Sequence, residues 1–259
     1  MLDALNTSNT LKSSMYGDAL RKHKALFFGV DSKFPATTLL QNNLNLFEWV
    51  TRNKVYPIFW GRNLNGKNEL TLEEVKYLHD KGVKIALIGN SSPSKTTEED
   101  GRKFAKRVLS LASNLNVPNN VVLFDAIDEN EVVSKNYLRG YAIELLVKGY
   151  VPGFKVSTDS ICPFNREFCR GIQVEPILFQ KCMIWAITPT LDDYNGTIDT
   201  HILHPNYWKP YAPSGITRNE IAIWQYGKDC HRIFDDNDIE TVFNLNISQN
   251  NLSILDKLF

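Results

Sequence analysis

The sequence predicts an α/β protein built as a single (β/α)8 TIM-type barrel. Two observations carry this prediction: short apolar runs alternate with segments of helical periodicity, and eight candidate strands fall within about 200 residues. An open dinucleotide-binding sheet is disfavoured, because no Gly-x-Gly-x-x-Gly turn follows the first strand and no P-loop is present. The final third is less regular, so we expect departures from the barrel there.

The charge balance of the chain disfavours two classes of binding partner. Lys+Arg and Asp+Glu both number 29 in a chain of 259 residues, so the net charge is zero. A neutral chain without basic runs argues against nucleic acid and against an anionic membrane surface as partners. No apolar run approaches the roughly 18 residues that a membrane-spanning helix needs.

Residues 1–23 are polar and weakly patterned, and we interpret them as an N-terminal arm preceding a barrel over residues 24–259. The N-terminal stretch lacks a basic start followed by an apolar core, so it does not resemble a signal peptide. The compartment is therefore left open by these residues alone.

The first half of the chain alternates regularly. Thr71–Glu74 and Thr96–Glu99 each have the pattern of a capping box, in which a threonine caps the helix and a glutamate reaches back to it. Gly82 is placed to end the first of these helices. The expected strands are 24–31, 55–60 and 83–89, and the expected helices are 37–53, 71–81 and 96–114.

The second half begins with the acidic strand in 121–131 and ends with less regular elements. Helices are expected over 132–148 and in the second half of 163–181. Further strands are expected at 151–156, 183–188, 201–203 and 220–226, followed by a last apolar stretch at 242–247.

Polar and aromatic residues fall at the carboxyl ends of these strands, which share one rim in a parallel barrel. Carboxylates supply the acid, base or nucleophile of glycoside chemistry, and flat aromatic rings take the apolar face of a sugar. A carbohydrate site is one interpretation; helix capping and loop solvation are the other, because strands end where solvent begins. The residues at these ends are Asp31, Trp60, Asn90, Asp128, Asp159, Thr188 and 224–226.

The fourth strand, VVLFDAIDENE (121–131), is the most informative stretch. Strand alternation puts Asp128 and Asn130 on one face and Asp125 and Glu129 on the other. If Asp128 points into the barrel, Asp125 faces the helices, where an unpaired carboxylate is costly. Asp125 then needs a partner such as a backbone donor or an arginine. If Asp125 points in instead, Asp128 is a loop residue.

No cofactor and no metal is expected. Asp199, His201 and His204 form D-x-H-x-x-H, but in a strand that spacing places the two imidazoles on opposite faces. The four cysteines fit no zinc pattern. They are either buried thiols or include one disulfide, Cys162–Cys169 or Cys169–Cys182. No Gly-x-Ser-x-Gly elbow is present, which disfavours a serine nucleophile.

Four motifs together resemble the glycoside-hydrolase-like domain of unknown function that occurs in many bacterial secreted proteins. They are GVDSKFPATTLL, GKNELTLEEVKYLHDKGVKIALIG, NVPNNVVLFDAIDEN, and the pair IAIWQYG and VFNLNI, in that order over roughly residues 25–248. That domain is a TIM barrel related to the bacteriophage-type lysozymes of glycoside hydrolase family 25. The resemblance implies an extracytoplasmic protein and a polysaccharide or peptidoglycan-like partner.

Carried over residue by residue, the resemblance selects Asp31 and makes Asp128 the inward acid of the fourth strand. The candidate catalytic residues are Asp31, Asp128 and Glu129. The candidate glycan-binding residues are Trp60, Asn90, Asn130, Asp159, Trp185, Trp224, Gln225 and Tyr226.

Two departures from the lysozyme pattern bear on activity. Asn130 and Asn244 occupy positions where the family has acids, and an amide cannot exchange a proton as a carboxyl group does. Three hypotheses follow: a glycosidase acting on a cell-wall-type polysaccharide, a relative that binds glycan without cutting it, or a barrel whose 189–217 segment contacts a protein partner.

Overall fold

The computed structural model describes residues 26–40, 43–52, 56–90, 94–191, 208–227, 231–234 and 239–259. The expected N-terminal arm, the expected strand at 201–203 and the histidine pair lie outside these residues. One continuous sheet organises the rest, with strand order β1-β2-β3-β4-β5-β6-β7-β9-β8. The strands are β1 Leu26–Ser32, β2 Phe59–Asn63, β3 Lys84–Gly89, β4 Val122–Ile127, β5 Val151–Ser157, β6 Met183–Leu191, β7 Ile221–Gly227, β8 His231–Phe234 and β9 Ile239–Ser248.

The first seven strands are parallel and neighbour one another in chain order, forming a curled sheet. β9 differs, because it runs antiparallel beside both β1 and β7. β8 pairs with β9 at its other edge, also antiparallel. Among the described residues the sheet therefore has seven parallel strands, and the predicted barrel of eight parallel strands is not confirmed, because the strand between the first and the seventh has the opposite direction.

The helices lie between the first six strands. They are α1 Leu46–Thr51, α2 Leu72–Asp80, α3 Glu98–Asn114, α4 Lys135–Val147, α5 Pro163–Val174 and α6 Pro176–Phe179. Single 3₁₀ segments cover Arg218–Glu220 and Gln249–Lys257. Within the described ranges, no helix is both long and apolar enough to cross a membrane.

Strand alternation divides the buried side chains into two layers. The outer layer joins the strands to the helices, with Val30, Leu87 and Phe154 packing against residues such as Val108 and Tyr141. The inner layer holds the side chains on the concave face, among them Phe27, Phe59, Ile88, Phe124, Trp185 and Ile247. Ile254, Leu255 and Leu258 pack into the inner layer from the C-terminal segment, and the backbone of Phe259 pairs with Ile85. The C-terminus thus covers the amino-terminal end of the strands.

The two predicted capping boxes are each altered. Thr71 caps α2 by accepting from the Glu74 N–H, but the Glu74 carboxylate binds the Arg62 guanidinium and the Ala36 N–H instead of reaching back. In the second case the box is shifted by one residue, with Thr97 as the cap and Asp100 as its partner.

The helix expected over residues 37–53 is shorter than its periodicity suggests. Asn45 caps α1 in a reciprocal box with Glu48, so the helix begins only at Leu46. Asn43 has a φ of 61°, a left-handed conformation that ends the preceding turn. Leu39, which matched the helical spacing, is exposed on the loop before this cap.

Candidate functional site

Among the residues whose side chains are described, the inner layer contains one ion pair near the carboxyl ends of the strands. Asp31, on β1, accepts a hydrogen bond at Oδ2 from Nζ of Lys155, on β5. The side chains are 5% and 14% exposed respectively, so the ammonium is the more accessible of the two charges. Each charge lies on a separate strand, and the pair therefore links two parts of the curled sheet across its concave face.

Trp185, on β6, forms the apolar wall of this pair. The Lys155 ammonium lies 4.7 Å from the centroid of the Trp185 ring, a cation–π distance. Phe124 contacts the same ring edge-to-face, with centroids 5.5 Å apart. Gly61, on β2, completes the arrangement, because a Cβ there would lie 2.6 Å from Trp185 Cη2 and 2.8 Å from Asp31 Oδ1. Glycine is thus required at 61 by close approach.

Two buried polar atoms at this face have no partner among the described residues: Nε1 of Trp185 and Oε1 of Gln225. Gln225, on β7, is 4% exposed, and its neighbour in the β-ladder is Ile187, an inner-layer residue of β6. An unpaired buried donor or acceptor costs about 1–3 kcal/mol. Such atoms are tolerated where a ligand or water supplies the missing partner. We refer to Asp31, Gly61, Lys155, Trp185 and Gln225 as the rim site.

Of the acids in the stretch 121–131, only Asp125 lies within β4, so the predicted alternation does not extend to Asp128, Glu129 and Asn130. Phe124 and Ala126 belong to the inner layer. Asp128, Glu129 and Asn130 follow the end of β4 in an exposed turn. The backbone N–H of Asp128 donates to the Glu131 carboxylate at 3.2 Å, and the Glu131 N–H donates to the Asp128 carbonyl at 3.0 Å, so this turn is held locally.

Asp125 faces the helices, as expected, and it has the partner that burial demands. That partner is a lysine: Nζ of Lys95 donates to Asp125 Oδ1 at 2.9 Å and to the Ala126 carbonyl at 2.8 Å. The Tyr137 hydroxyl donates to Asp125 Oδ2 at 2.9 Å, and Glu131 lies 3.4 Å from Lys95 Nζ. Burial raises the pKa of Asp125 to about 6, with the ammonium and the hydroxyl opposing the rise.

Three of the predicted aromatic residues are buried in the outer layer. Trp60 stacks on Phe47 and donates from Nε1 to Ser32 Oγ at 2.8 Å. Trp224 donates from Nε1 to the Thr188 carbonyl at 3.0 Å and contacts Tyr226 and Trp208. These rings have no exposed face in this structure. Alternation explains this result, because each is adjacent in sequence to an inward-facing position.

Asn90 and Asp159 follow strand ends; Asn90 is bound through its backbone to Asn65 in the loop after β2, and Asp159 makes local contacts. Asn65 Nδ2 donates to the Asn90 carbonyl at 2.6 Å, and the Asn90 N–H donates to Asn65 Oδ1 at 2.8 Å. Oδ1 of Asp159 accepts from the Ser160 hydroxyl and the Ile161 N–H, both at 3.3 Å. Both residues are half-buried, and their hydrogen bonds order the loops beside the strand ends.

Lys155 and Gly61 were not identified from the sequence. Lys155 stands within the buried run 151–157, where an isolated lysine is an anomaly that could have been noticed. Gly61 lies within β2, one residue beyond the strand expected over 55–60. Of the predicted site residues, the candidate catalytic residue Asp31 and the candidate glycan-binding residues Trp185 and Gln225 belong to the rim site.

Three further features of the described residues were candidates for a functional site: metal-binding groups, cysteines and a surface cavity. No group of three or more His, Cys, Asp or Glu residues among the described residues is arranged to hold a metal ion. Cys162, Cys169 and Cys182 are free thiols, so the conceivable disulfides among them are not formed. A shallow cavity of about 420 Å³ lies on the outer helices at 174–178 and Lys181. It is formed by the carboxyl end of α5 and by α6, away from the rim site.

A sequence match identifies a family. The family model described as "Rv2525c-like, glycoside hydrolase-like domain" matches residues 58–239, which is more than half of the chain. No curated protein matches the sequence.

Three solved structures illustrate the fold. An uncharacterized protein of B. stearothermophilus is 24% identical, with a TM-score of 0.71 over 90% of this chain and 100% of that one. The bacterial lysozyme of Streptomyces coelicolor is 10% identical, with a TM-score of 0.51 over 89% of this chain and 96% of that one. The modular autolysin LytC of Streptococcus pneumoniae, in complex with a synthetic peptidoglycan ligand, is 10% identical, with a TM-score of 0.50 over 86% and 46%. At these identities the likeness is one of fold.

Proposed function

The chain belongs to the Rv2525c-like, glycoside hydrolase-like domain family, and we propose that it binds a cell-wall-type glycan at the rim site. In this proposal Lys155 and Trp185 donate hydrogen bonds to the glycan, Gln225 accepts one, and Asp31 holds the lysine in place. The exposed turn after β4, with Asp128, borders the bound sugar.

The observation that carries the proposal is the pair of unpartnered buried atoms, Nε1 of Trp185 and Oε1 of Gln225. A sugar presents hydroxyl groups that both donate and accept. A glycan would therefore satisfy both atoms once the side chains that cover the fully buried Trp185 ring move aside to admit it. Peptidoglycan is the first glycan to test, because the structures of similar fold include a lysozyme and an autolysin in complex with a synthetic peptidoglycan ligand.

Binding without cleavage is the version of the function that the carboxylates favour. Among the described residues, Asp31 is the one buried carboxylate of the inner layer, since Asp125 and Glu74 lie in the outer layer and Glu167 is on α5. Asp31 is already bound to the Lys155 ammonium. Glycosidases normally need two carboxyl groups flanking the scissile bond, and Ala126 supplies none beside Lys155 on the neighbouring strand.

Hydrolysis is the second candidate, and one observation favours it. Asp128 and Glu129 are exposed at the carboxyl end of β4, where either carboxyl group is free to meet a substrate entering from solvent. In that case Asp128 would protonate the glycosidic oxygen and Asp31 would act as the second carboxylate, once substrate had drawn Lys155 away.

The two candidates are separated by measuring binding and turnover on the same samples. Purified peptidoglycan is incubated with the wild-type chain, Asp128→Asn and Trp185→Phe; sedimentation reports binding and new reducing ends report cleavage. We expect wild-type binding, weaker binding by Trp185→Phe, and no cleavage. Cleavage that disappears in Asp128→Asn would establish hydrolysis in its place. If the wild-type chain sediments with no glycan, the proposed function is wrong.

A further inference from the structure

We infer that the rim site is selective for a glycan that carries an anionic group, a carboxylate or a phosphate, and that Lys155 is the residue that selects it. This inference rests on the proposed function and specifies its substrate class. It starts from the balance of hydrogen-bond donors and acceptors at the site.

Donors exceed acceptors at the rim site. An ammonium has three N–H groups, and the hydrogen-bond partner of Lys155 among the described residues is Asp31. Two N–H groups of Lys155 and Nε1 of Trp185 then remain, against two acceptors without a partner among the described residues, Oε1 of Gln225 and Oδ1 of Asp31. A ligand that satisfies this set must present more acceptors than donors. Carboxylate and phosphate oxygens accept without donating, and they form the stronger, charge-assisted bonds with an ammonium.

Asp31 does not oppose an incoming anion as a free carboxylate would. Its Oδ2 accepts from Lys155, and its Oδ1 lies beside Gly61, 2.8 Å from where a Cβ would stand. Its side chain is also less exposed than that of Lys155, 5% against 14%. A ligand entering from the rim therefore meets the ammonium before the carboxylate. The role of Asp31 is to position Lys155 over the Trp185 ring.

The test compares sugars that differ only in charge. Methyl glucuronide, methyl glucoside and glucose 6-phosphate are titrated into the wild-type chain at low salt, with Kd measured by nuclear magnetic resonance. We expect the two anionic sugars to bind at least about tenfold more tightly than methyl glucoside, and that preference to shrink as salt is raised. Tighter binding of glucuronide assigns the anion as a carboxylate, and tighter binding of glucose 6-phosphate as a phosphate.

Variants locate the selectivity at one residue. Lys155→Met should abolish the preference, Lys155→Arg should retain it, and Lys84→Met, at an exposed lysine that starts β3, should leave it unchanged. Because Lys155→Met leaves Asp31 without its partner, Lys155→Met/Asp31→Leu serves as a second variant if the single one unfolds. Equal Kd values for charged and neutral sugars in the wild type would overturn the inference, as would a preference that survives removal of Lys155.

The outcomes distinguish this inference from the proposed function. A chain that binds peptidoglycan but does not discriminate charged from neutral sugars retains the proposed function and loses the selectivity. A chain that binds neither peptidoglycan nor any of the three sugars loses both.

Discussion

Three buried or nearly buried ion pairs divide between the two faces of the sheet, and they differ in how completely they are satisfied. In the outer layer, Arg62 binds Glu74 through Nε and Nη2 and donates to the carbonyls of Ser32, Lys33 and Asn68. In the inner layer, Lys155 binds Asp31, and the donor of the neighbouring Trp185 has no partner among the described residues.

This difference distinguishes structural from functional charge. The outer pairs, Arg62–Glu74 and Lys95–Asp125, each join a strand to a loop or helix and use backbone carbonyls to complete their hydrogen bonds. Nothing remains for a ligand to do there. The inner pair has donors without partners among the described residues, and in the proposed function a ligand supplies those partners. Burial of charge alone therefore does not mark a site; the unmatched donors beside it do.

The largest effect is expected from Arg62→Met. Removing the guanidinium leaves the Glu74 carboxylate buried with only the Ala36 N–H as its long-range partner, which costs about 3–5 kcal/mol of unfolding free energy. Urea denaturation measures the loss. Arg62→Met/Glu74→Leu should recover much of it, and Lys76→Ala, which breaks an exposed pair with Asp80, should cost under about 1 kcal/mol. An equally small loss for Arg62→Met would contradict the structural role of the pair.

A smaller loss is expected from Lys95→Met, with a defined pH dependence. The variant leaves Asp125 to the Tyr137 hydroxyl. Because Lys95 lowers the pKa of Asp125, its removal should raise that pKa further above about 6.

The sign follows from proton linkage. An acid with a raised pKa in the folded state keeps its proton where the unfolded chain has lost it, so the folded state loses stability as pH rises through that window. In Lys95→Met the window extends above pH 6, and each further unit costs about 1.4 kcal/mol. The destabilisation relative to wild type should thus be greater at pH 8 than at pH 5.5. Denaturation at the two pH values measures it, and a pH-independent loss would contradict the pairing.

Trp185→Phe is expected to have the smallest effect on stability and the clearest effect on binding. The phenyl ring retains much of the contact with Phe124 and Lys155, while the unpartnered donor is removed, so the free energy of unfolding should change by under about 1 kcal/mol. Peptidoglycan binding should weaken roughly tenfold, which corresponds to about 1.4 kcal/mol. Trp224→Phe is the matched control, since the indole of Trp224 is bound to the Thr188 carbonyl. It should lose stability and leave the glycan contacts in place.

The sequence predicted the elements that local periodicity determines. The parallel strands follow from the alternation of strands with helices. Alternation within β4 left the direction of Asp125 open, and the family resemblance selected the outward direction, which makes a partner for its carboxylate necessary. Lys95 could not be identified as that partner, because it lies 30 residues away in a loop whose position the strands do not determine. The antiparallel direction of β9 was also missed, since an apolar run carries no signal of its direction in a sheet.

Alternation on the other strands separates Trp60 from Gly61 and Trp224 from Gln225, and it places Lys155 on the same face as Gly153. The unpartnered atoms themselves could not be predicted, because they depend on which side chains meet across the curled sheet.

The most direct test of the central claim follows the indole N–H resonances during titration with soluble peptidoglycan fragments. Each resonance is assigned by single Trp→Phe substitution. We expect the Trp185 resonance to shift saturably, because its Nε1 gains an acceptor. The indole N–H groups of Trp224 and Trp208 already donate to the Thr188 and Arg218 carbonyls, so their resonances should keep the chemical shifts of the ligand-free chain. A Trp185 signal that is unmoved when the fragments are bound would contradict the central claim.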